Sequence, residues 1–131
     1  MSTILIVEDN ETNMQLSSFL LENAEYTVLK ARTAEVGLVI ARAQHPDLIL
    51  MDIQLPGMDG LQAAALLKAD EATRSIPVVA LTALAMKGDE ERIRAAGCDG
   101  YIAKPLDYKS FLAEVKARLA AGHGSPAMPA T

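Results

Sequence analysis

Short apolar segments recur along the chain at nearly even spacing. Five of them cover residues 4–7, 26–29, 48–51, 78–81 and 101–103. The first, third and fourth are uninterrupted aliphatic blocks, whereas a strand with one face in water alternates apolar and polar positions. Uninterrupted blocks indicate strands that are covered on both faces, as in a parallel sheet.

The stretches between these segments carry apolar residues at helical spacing. The predicted helices cover residues 10–23, 33–43, 61–69, 89–96 and a last segment that follows Asp107. Thr33 and Asp107 are suited to cap the second and last helices, and Gly97 is suited to end the fourth. The residues expected to face the core from the first and last helices are Met14, Leu16, Phe19 and Leu20, and Phe111, Val115 and Leu119.

A strand–helix unit that repeats five times predicts an α/β fold. Such a repeat forms an open, doubly wound parallel sheet with helices on both faces and right-handed crossovers. A chain of 131 residues fits one domain of this kind. We expect the domain to cover residues 1–121 and residues 122–131, which are small, Gly/Pro-rich and unpatterned, to form a disordered tail.

Composition excludes several classes of function. A net charge of −5 and a pI near 4.9 disfavour binding to nucleic acid or to an anionic membrane surface. The single cysteine, Cys98, cannot form an internal disulfide or a Cys-rich zinc site, and a small buried hydrophobe is its ordinary role. The N-terminal apolar run is too short for a signal peptide or a membrane span, so we expect a cytoplasmic protein.

Polar residues follow four of the five predicted strands. They are Glu8 and Asp9 after the first, Asp52 after the third, Thr82 after the fourth, and Lys104 with Pro105 after the fifth. Each alone has an ordinary structural role, such as a helix cap, a turn or a surface lysine. Because ligands of open α/β sheets bind beyond the carboxyl ends of the strands, the combination predicts a functional site at that edge.

The charges indicate the chemistry of this site. Crowded carboxylates repel one another, and oxygen-only ligands without clustered His or Cys favour Mg²⁺. An aspartate can accept a phosphoryl group as an aspartyl-phosphate, and Asp52, on the middle apolar run, is the central candidate. Thr82 can donate its hydroxyl to a phosphoryl oxygen, and Lys104 can neutralise phosphoryl charge.

Four segments resemble, in order, the signature blocks of bacterial response-regulator receiver domains: ILIVEDN, DLILMDIQLPGMDG, VVALTA and YIAKP. The resemblance extends over residues 3–121. The stretch ALTALAMKGDEERIRAAGCDGYIAKP is most similar to single-domain regulators of cell division of the DivK type, and similar blocks occur in receivers attached to hybrid histidine kinases. The acidic pair departs from the commonest pattern, since it is Glu-Asp where many members have Asp-Asp.

The resemblance implies a flavodoxin-like (βα)5 fold with strand order 2-1-3-4-5. It also implies that Asp52 is the phosphoacceptor, that Lys104 binds phosphate and that the Lys104–Pro105 bond is cis. The Mg²⁺ ligands that it implies are Glu8, Asp9, Asp52 and the backbone carbonyl of Gln54. Thr82 and Tyr101 take the positions of the family's switch residues.

The implied function is that of a two-component response regulator in a phosphorelay. It accepts a phosphoryl group from a partner phosphohistidine in a Mg²⁺-dependent reaction. The donor is a histidine kinase or a histidine phosphotransfer protein, whose helices we expect to dock near Asn13, Met14 and Ser17. The output is phosphorylation-dependent binding to a downstream protein, without a DNA-binding output domain. We expect a monomer or weak dimer, and no enzymatic activity beyond slow autodephosphorylation.

Phosphorylation is expected to draw Thr82 toward the phosphoryl oxygens and to open space for Tyr101. The surface of the fourth helix, fifth strand and fifth helix would change as a result. Gly88 lies where the fourth helix should begin. Either residues 85–89 form a mobile segment or Gly88 simply precedes the helix, and the sequence leaves both open.

Three other functions fit parts of the pattern. A receiver module cut from, or acting with, a hybrid histidine kinase has the same blocks. An aspartyl-phosphate phosphohydrolase needs a second acid two residues after the nucleophile, where this chain has Gln54. An unphosphorylated interaction module would not need the complete set of acids, hydroxyl and lysine.

Overall fold

The computed structural model describes residues 2–83, 87–104 and 107–124. Within them, strands and helices alternate in the predicted order. The strands are β1 (Thr3–Val7), β2 (Thr27–Ala31), β3 (Leu48–Asp52), β4 (Val78–Thr82) and β5 (Gly100–Ala103). The helices are α1 (Glu11–Asn23), α2 (Ala34–Gln44), α3 (Gly60–Ala69), α4 (Lys87–Ala95) and α5 (Tyr108–Gly124).

The five strands form one parallel sheet in the order β2-β1-β3-β4-β5, which confirms the predicted fold class and strand order. The order reverses between β1 and β3, and in open α/β sheets a crevice forms at such a reversal. The register pairs Asp52 with Leu81 and Thr82 with Ala103. The last residues of β3, β4 and β5 therefore lie side by side at the carboxyl edge.

Each central strand is buried on both faces, as the uninterrupted apolar blocks predicted. Successive side chains point to opposite sides, so the two faces of the sheet build separate cores. Leu5 and Val7 join a core formed with α2, α3 and α4. Ile4 and Ile6 join a second core formed with α1 and α5. The predicted core residues of α5 are buried there: Phe111, Val115 and Leu119.

Helix α1 presents a different face to the core from the one predicted. Its buried residues are Met14, Ser17, Ser18 and Leu21. Leu16 and Phe19, which were expected to be buried, are 43% and 65% exposed. At about 100° per residue they lie roughly 200° and 140° around the helix from Met14, so they cannot share its face. The prediction was wrong because it followed the apolar residues rather than the i, i+3, i+4, i+7 positions that the helix buries.

The helix ends follow the predicted chemistry closely. The Thr33 hydroxyl accepts from the Val36 N–H at 3.1 Å at the start of α2. Helix α4 ends just before Gly97, which adopts a φ of +97° that suits glycine. Asp107 precedes α5, which continues to Gly124, three residues beyond the predicted end of the domain.

Two expectations concern residues that the structure only partly describes. Gly88 is the second residue of α4, whereas residues 84–86, which overlap the predicted mobile segment, lie outside the described residues. The predicted tail also lies outside them from Ser125 onward.

Candidate functional site

The sheet brings the predicted site residues to one edge. Glu8 and Asp9 follow β1, Asp52 and Thr82 are the last residues of β3 and β4, and Lys104 follows β5. The Lys104 N–H donates to the Thr82 carbonyl at 2.7 Å, which fixes the start of the β5–α5 loop against the end of β4. The convergence follows from parallel strands whose carboxyl ends share an edge.

Three carboxylates form a compact cluster at this edge. One side-chain oxygen from each of Glu8, Asp9 and Asp52 lies within 4.8 Å of the others. Glu8 and Asp52 are buried, with 1% and 3% of their surfaces exposed, whereas Asp9 is exposed. The cluster therefore has a buried floor and one acid at its opening.

Lys104 bridges the two buried acids. Its Nζ donates to Glu8 Oε1 at 3.0 Å and to Asp52 Oδ2 at 3.1 Å. The other oxygen of Asp52, Oδ1, accepts from the Gln54 backbone N–H at 2.9 Å. Both oxygens of Asp52 are thus held by donors, so the orientation of this carboxylate is fixed before any ligand binds.

The close packing of these groups changes their proton affinities. Burial, reinforced by the hydrogen bond and charge of Asp52 and only partly opposed by Lys104, raises the pKa of Glu8 to about 7. For Lys104, burial alone would lower the pKa, but the hydrogen bonds to Glu8 and Asp52 outweigh it and hold the pKa above its ordinary value. Lys104 therefore keeps its proton, and Glu8 gives up its proton less readily than an ordinary glutamate.

The donor set fits a hard divalent cation. Mg²⁺ binds oxygen ligands at about 2.0–2.1 Å, so opposite ligands of an octahedron are about 4 Å apart. The three carboxylate oxygens lie within 4.8 Å of one another, which is compatible with ligands of one ion. The cluster has no sulfur or imidazole, which zinc and copper sites prefer. Glu8, Asp9 and Asp52 therefore offer oxygen ligands of the kind that magnesium prefers.

The two predicted switch residues lie on the neighbouring strands β4 and β5. Thr82 is fully buried at the end of β4. Tyr101 lies on β5, half-buried, and its hydroxyl donates to Glu90 of α4 at 2.6 Å. Nothing in the sequence singled out Glu90, because the contact joins separate elements. The predicted cis bond involves Pro105, which lies outside the described residues.

Two of the three expected docking residues on α1 need correction, whereas Asn13 is partly exposed. Met14 and Ser17 are each only 1% exposed, so they cannot contact a partner helix. The exposed apolar side chains of this helix are Leu16 and Phe19. The hydroxyls of Ser17 and Ser18 have no hydrogen-bond partner among the described residues. Helix α1 thus buries two hydroxyls while it exposes two large apolar groups.

Residues 4–116 match the family model described as the response regulator receiver domain. The chain therefore belongs to the response regulator receiver family, as the sequence blocks predicted. This match covers the sheet except for Thr3, the first residue of β1, and it extends about halfway along α5.

Curated relatives place the chain near one type of receiver. The polar-differentiation response regulator DivK of Brucella ovis is 51% identical over 117 residues, which cover 89% of this chain and 95% of that protein. DivK of Brucella anthropi is 50% identical over the same length. The predicted similarity to single-domain regulators of the DivK type is thereby confirmed.

Solved structures share the fold. A putative response regulator from Chloroflexus aurantiacus superposes with a TM-score of 0.87 at 30% identity, over 91% of this chain and 98% of that one. The receiver domain of the sensor histidine kinase PA1611 from Pseudomonas aeruginosa, with a magnesium ion coordinated in its active-site cleft, has a TM-score of 0.85 at 34% identity, over 91% and 98% of the two chains.

Among the described residues, no helix combines the length and the apolar composition that crossing a bilayer requires.

Proposed function

We propose that this response regulator is a switch in which Asp52 accepts a phosphoryl group from a partner phosphohistidine, in a Mg²⁺-dependent reaction. One observation carries the proposal: Gln54 N–H and Lys104 Nζ hold the two oxygens of Asp52, and Glu8 and Asp9 lie beside it. A nucleophile that is already oriented, within an acidic cluster and next to a cation, suits phosphoryl transfer.

The proposed metal ligands are Glu8, Asp9, Asp52 and the backbone carbonyl of Gln54. Bound Mg²⁺ would neutralise negative charge on the cluster and on the incoming phosphoryl oxygens. The magnesium in the related PA1611 receiver supports the assignment. Asp9, as the exposed member, lies where solvent and a donor can reach it.

In the proposed transfer, a carboxylate oxygen of Asp52 forms a bond to phosphorus while the bond from phosphorus to the donor imidazole nitrogen breaks. The electron pair of that bond stays on the imidazole. Lys104 Nζ, 3.1 Å from Asp52 Oδ2, is positioned to pair with a phosphoryl oxygen afterwards. Thr82, at the end of the neighbouring strand, supplies a hydroxyl for a second phosphoryl oxygen.

The phosphodonor is proposed to be a histidine kinase or a phosphotransfer protein that docks on the outer face of α1. Leu16 and Phe19 give this face its exposed apolar groups, and α1 begins beside the acidic cluster. An apolar patch of this kind suits a helix from a partner protein. These exposed residues replace Met14 and Ser17 as the proposed contacts.

The proposed output is binding to a downstream protein through the surface of α4, β5 and α5. Phosphorylation adds charge of about −1.5 to −2 and three acceptor oxygens, toward which Thr82 is drawn while Tyr101 changes position. Shifting a 1:99 equilibrium to 99:1 takes roughly 5.5 kcal/mol. A few charge-assisted hydrogen bonds, at about 1.5–3 kcal/mol each, supply that amount.

The DivK relatives are named for polar differentiation, and we place this chain in a signalling role of the same type, connected with cell division. The acidic composition supports protein partners rather than nucleic acid. The proposal also includes a cytoplasmic location, a monomer or weak dimer, and no turnover beyond slow autodephosphorylation. A role with a hybrid histidine kinase remains the alternative, supported by the similarity to the PA1611 receiver.

The decisive experiment is labelling of the full chain with a phosphorylated histidine phosphotransfer protein or acetyl phosphate, followed by intact-mass and peptide analysis. We expect one phosphoryl group on Asp52, dependent on Mg²⁺ and absent from Asp52→Asn. Glu71→Gln, which changes an exposed acid remote from the cluster, is the matched control and should be labelled normally. Label on Asp52→Asn, or full labelling in EDTA, contradicts the proposal.

A further inference from the structure

The hydroxyl of Tyr101 is held by a carboxylate on a neighbouring helix. It donates to Glu90 Oε1 at 2.6 Å, a length typical of a charge-assisted O–H···O⁻ bond. Glu90 lies in the first turn of α4, and Tyr101 is the second residue of β5. The hydrogen bond therefore ties the beginning of α4 to the strand that leads to Lys104.

The rest of Tyr101 has apolar surroundings. Its half-buried ring packs against the core between the sheet and α2, α3 and α4, which includes Ile93 and Cys98. One end of the side chain is thus fixed by packing and the other by Glu90. This combination of contacts gives the ring one preferred position. In agreement, the hydrogen bond to Glu90, with burial, raises the pKa of Tyr101.

The Tyr101 side chain lines a surface cleft that a partner protein could contact. The cleft has a volume of about 350 Å³ between α4, β5 and α5, and Glu90, Arg94, Tyr101 and Arg118 are among its lining residues. Glu114 is paired with Arg118, and Glu90 is paired with Tyr101. Moving the tyrosine would leave the Glu90 carboxylate unpaired in the cleft and change both its shape and its charge.

The strand register connects this contact with the candidate phosphorylation site. Tyr101 pairs with Ala80 on β4, two residues before Thr82. A ring that moves along β5 toward Thr82 cannot keep a 2.6 Å bond to Glu90 unless α4 moves with it. The Glu90 bond therefore opposes the change of Tyr101 that the proposed switch requires.

We propose that Glu90 is a regulatory positioning residue: its hydrogen bond holds Tyr101 against α4 in the unphosphorylated protein and thereby sets the sensitivity of the switch. This inference rests on the proposed function, because the sensitivity concerns phosphorylation at Asp52. Loss of a hydrogen bond to a charged group changes an equilibrium by about tenfold to a hundredfold. Removal of the Glu90 carboxylate should favour the switched state by about that factor.

The test uses the full chain and beryllofluoride with Mg²⁺, a mimic of the phosphoryl group. Glu90→Ala, Glu90→Gln and the control Glu91→Ala are titrated while amide NMR signals of α4, β5 and α5 are followed. Glu91 is exposed, carries the same charge and is adjacent on the helix. We expect Glu90→Ala to reach half-saturation at about one-tenth of the wild-type concentration. Glu90→Gln should be intermediate, and Glu91→Ala should match the wild type.

Tyr101→Phe separates the hydrogen bond from a general effect of charge. Since this variant lacks the hydroxyl, adding Glu90→Ala to it should cause no further change, so the two substitutions should be strongly non-additive. Additive effects in the double variant overturn the inference, as does a Glu90→Ala titration equal to that of the wild type. If the wild-type protein shows no response to beryllofluoride, the proposed function itself is overturned. If the wild type responds and the Glu90 variants respond identically, only the role of Glu90 is overturned.

Discussion

Gly60, the first residue of α3, lies directly against the backbone of Asp52. A Cβ at Gly60 would stand 2.2 Å from the Asp52 carbonyl oxygen and 2.7 Å from the Cα of Ile53. Both distances are far shorter than van der Waals contact, and the atoms concerned are backbone atoms that cannot turn away. Helix α3 can therefore pack this closely against the backbone of Asp52, the candidate phosphoacceptor, only because Gly60 has no side chain.

Substitution Gly60→Ala should destabilise the protein by about 1–3 kcal/mol, because α3 must shift away from β3 to relieve the overlap. Urea unfolding followed by circular dichroism measures the change. Labelling of Asp52 should slow as well, since its carboxylate is positioned by the Gln54 N–H that follows β3.

Gly88→Ala is the control for this comparison. Gly88 is also near the start of a helix, but among the described residues no atom outside its own stretch of helix lies within 4 Å of the position that its Cβ would take. Alanine there should be neutral or stabilising by up to about 1 kcal/mol. Equal stability of Gly60→Ala and the wild type would show that α3 is not packed against β3 as described.

Because Lys104 Nζ bonds to Glu8 and Asp52, we expect its ammonium group to compete with a metal ion for these carboxylates. In Lys104→Met the two buried carboxylates lose their shared cation, so the metal-free protein should lose up to about 3 kcal/mol of stability. Because the cluster is then more negative, Mg²⁺ should bind about tenfold more tightly and restore much of that stability.

Isothermal titration with Mg²⁺, paired with unfolding in EDTA and in Mg²⁺, measures both effects. Lys109→Met serves as the control, since Lys109 is exposed on α5 and its substitution removes the same charge. Equal Mg²⁺ affinity in Lys104→Met and the wild type would indicate that Lys104 does not compete with the metal for these oxygens.

Much of the fold was predictable because its signals are local. The aliphatic blocks at β1, β3 and β4 indicated buried strands, and their alternation with helices favoured a parallel sheet. The convergence of the candidate site residues was predictable for the same reason, since parallel topology brings the residues that follow the strands together. The convergence of Asp9, Asp52 and Lys104 needed no knowledge of side-chain packing.

The features that were missed depend on orientation and on contacts between distant elements. The rotation of α1 is decided by its packing on the second core, which takes Met14 and Leu21 and leaves Phe19 outside. The Glu90–Tyr101 bond depends on how α4 sits against β5. The contact of Gly60 with Asp52 depends on the approach of α3. No local pattern of hydrophobic and polar residues contains this information.

Cys98 should react slowly with thiol reagents. It is 8% exposed, and burial, with a smaller contribution from the charge of Asp99, raises the pKa of its thiol from 9.0 to about 11. The thiolate is the reactive form, so at pH 8 the folded protein should have about a hundredfold less thiolate than an ordinary cysteine. The rate should rise with pH until it levels off near pH 11, provided the fold persists.

Alkylation by iodoacetamide, followed by mass spectrometry between pH 7 and 10, measures this reactivity. Protein unfolded in urea provides the reference rate for an accessible thiol at each pH. A folded-state rate close to that reference at pH 8 would mean that the thiol is neither buried nor shifted.

The exposed aromatic side chain of α1 leads to a prediction about the phosphodonor. Phe19 is 65% exposed, so Phe19→Ala should change stability by no more than about 0.5 kcal/mol. If the outer face of α1 is the docking site, the same change removes an aromatic anchor and should lower the phosphotransfer rate from a partner protein by about tenfold. Labelling by acetyl phosphate should stay normal, because this small donor does not contact α1.

Val39→Ala, which truncates a 64% exposed side chain on α2, should leave both rates unchanged. If phosphotransfer from the protein donor to Phe19→Ala is normal at both saturating and limiting donor concentrations, the docking surface lies elsewhere. If the rates with the protein donor and with acetyl phosphate fall equally, the substitution has damaged the site at Asp52 itself.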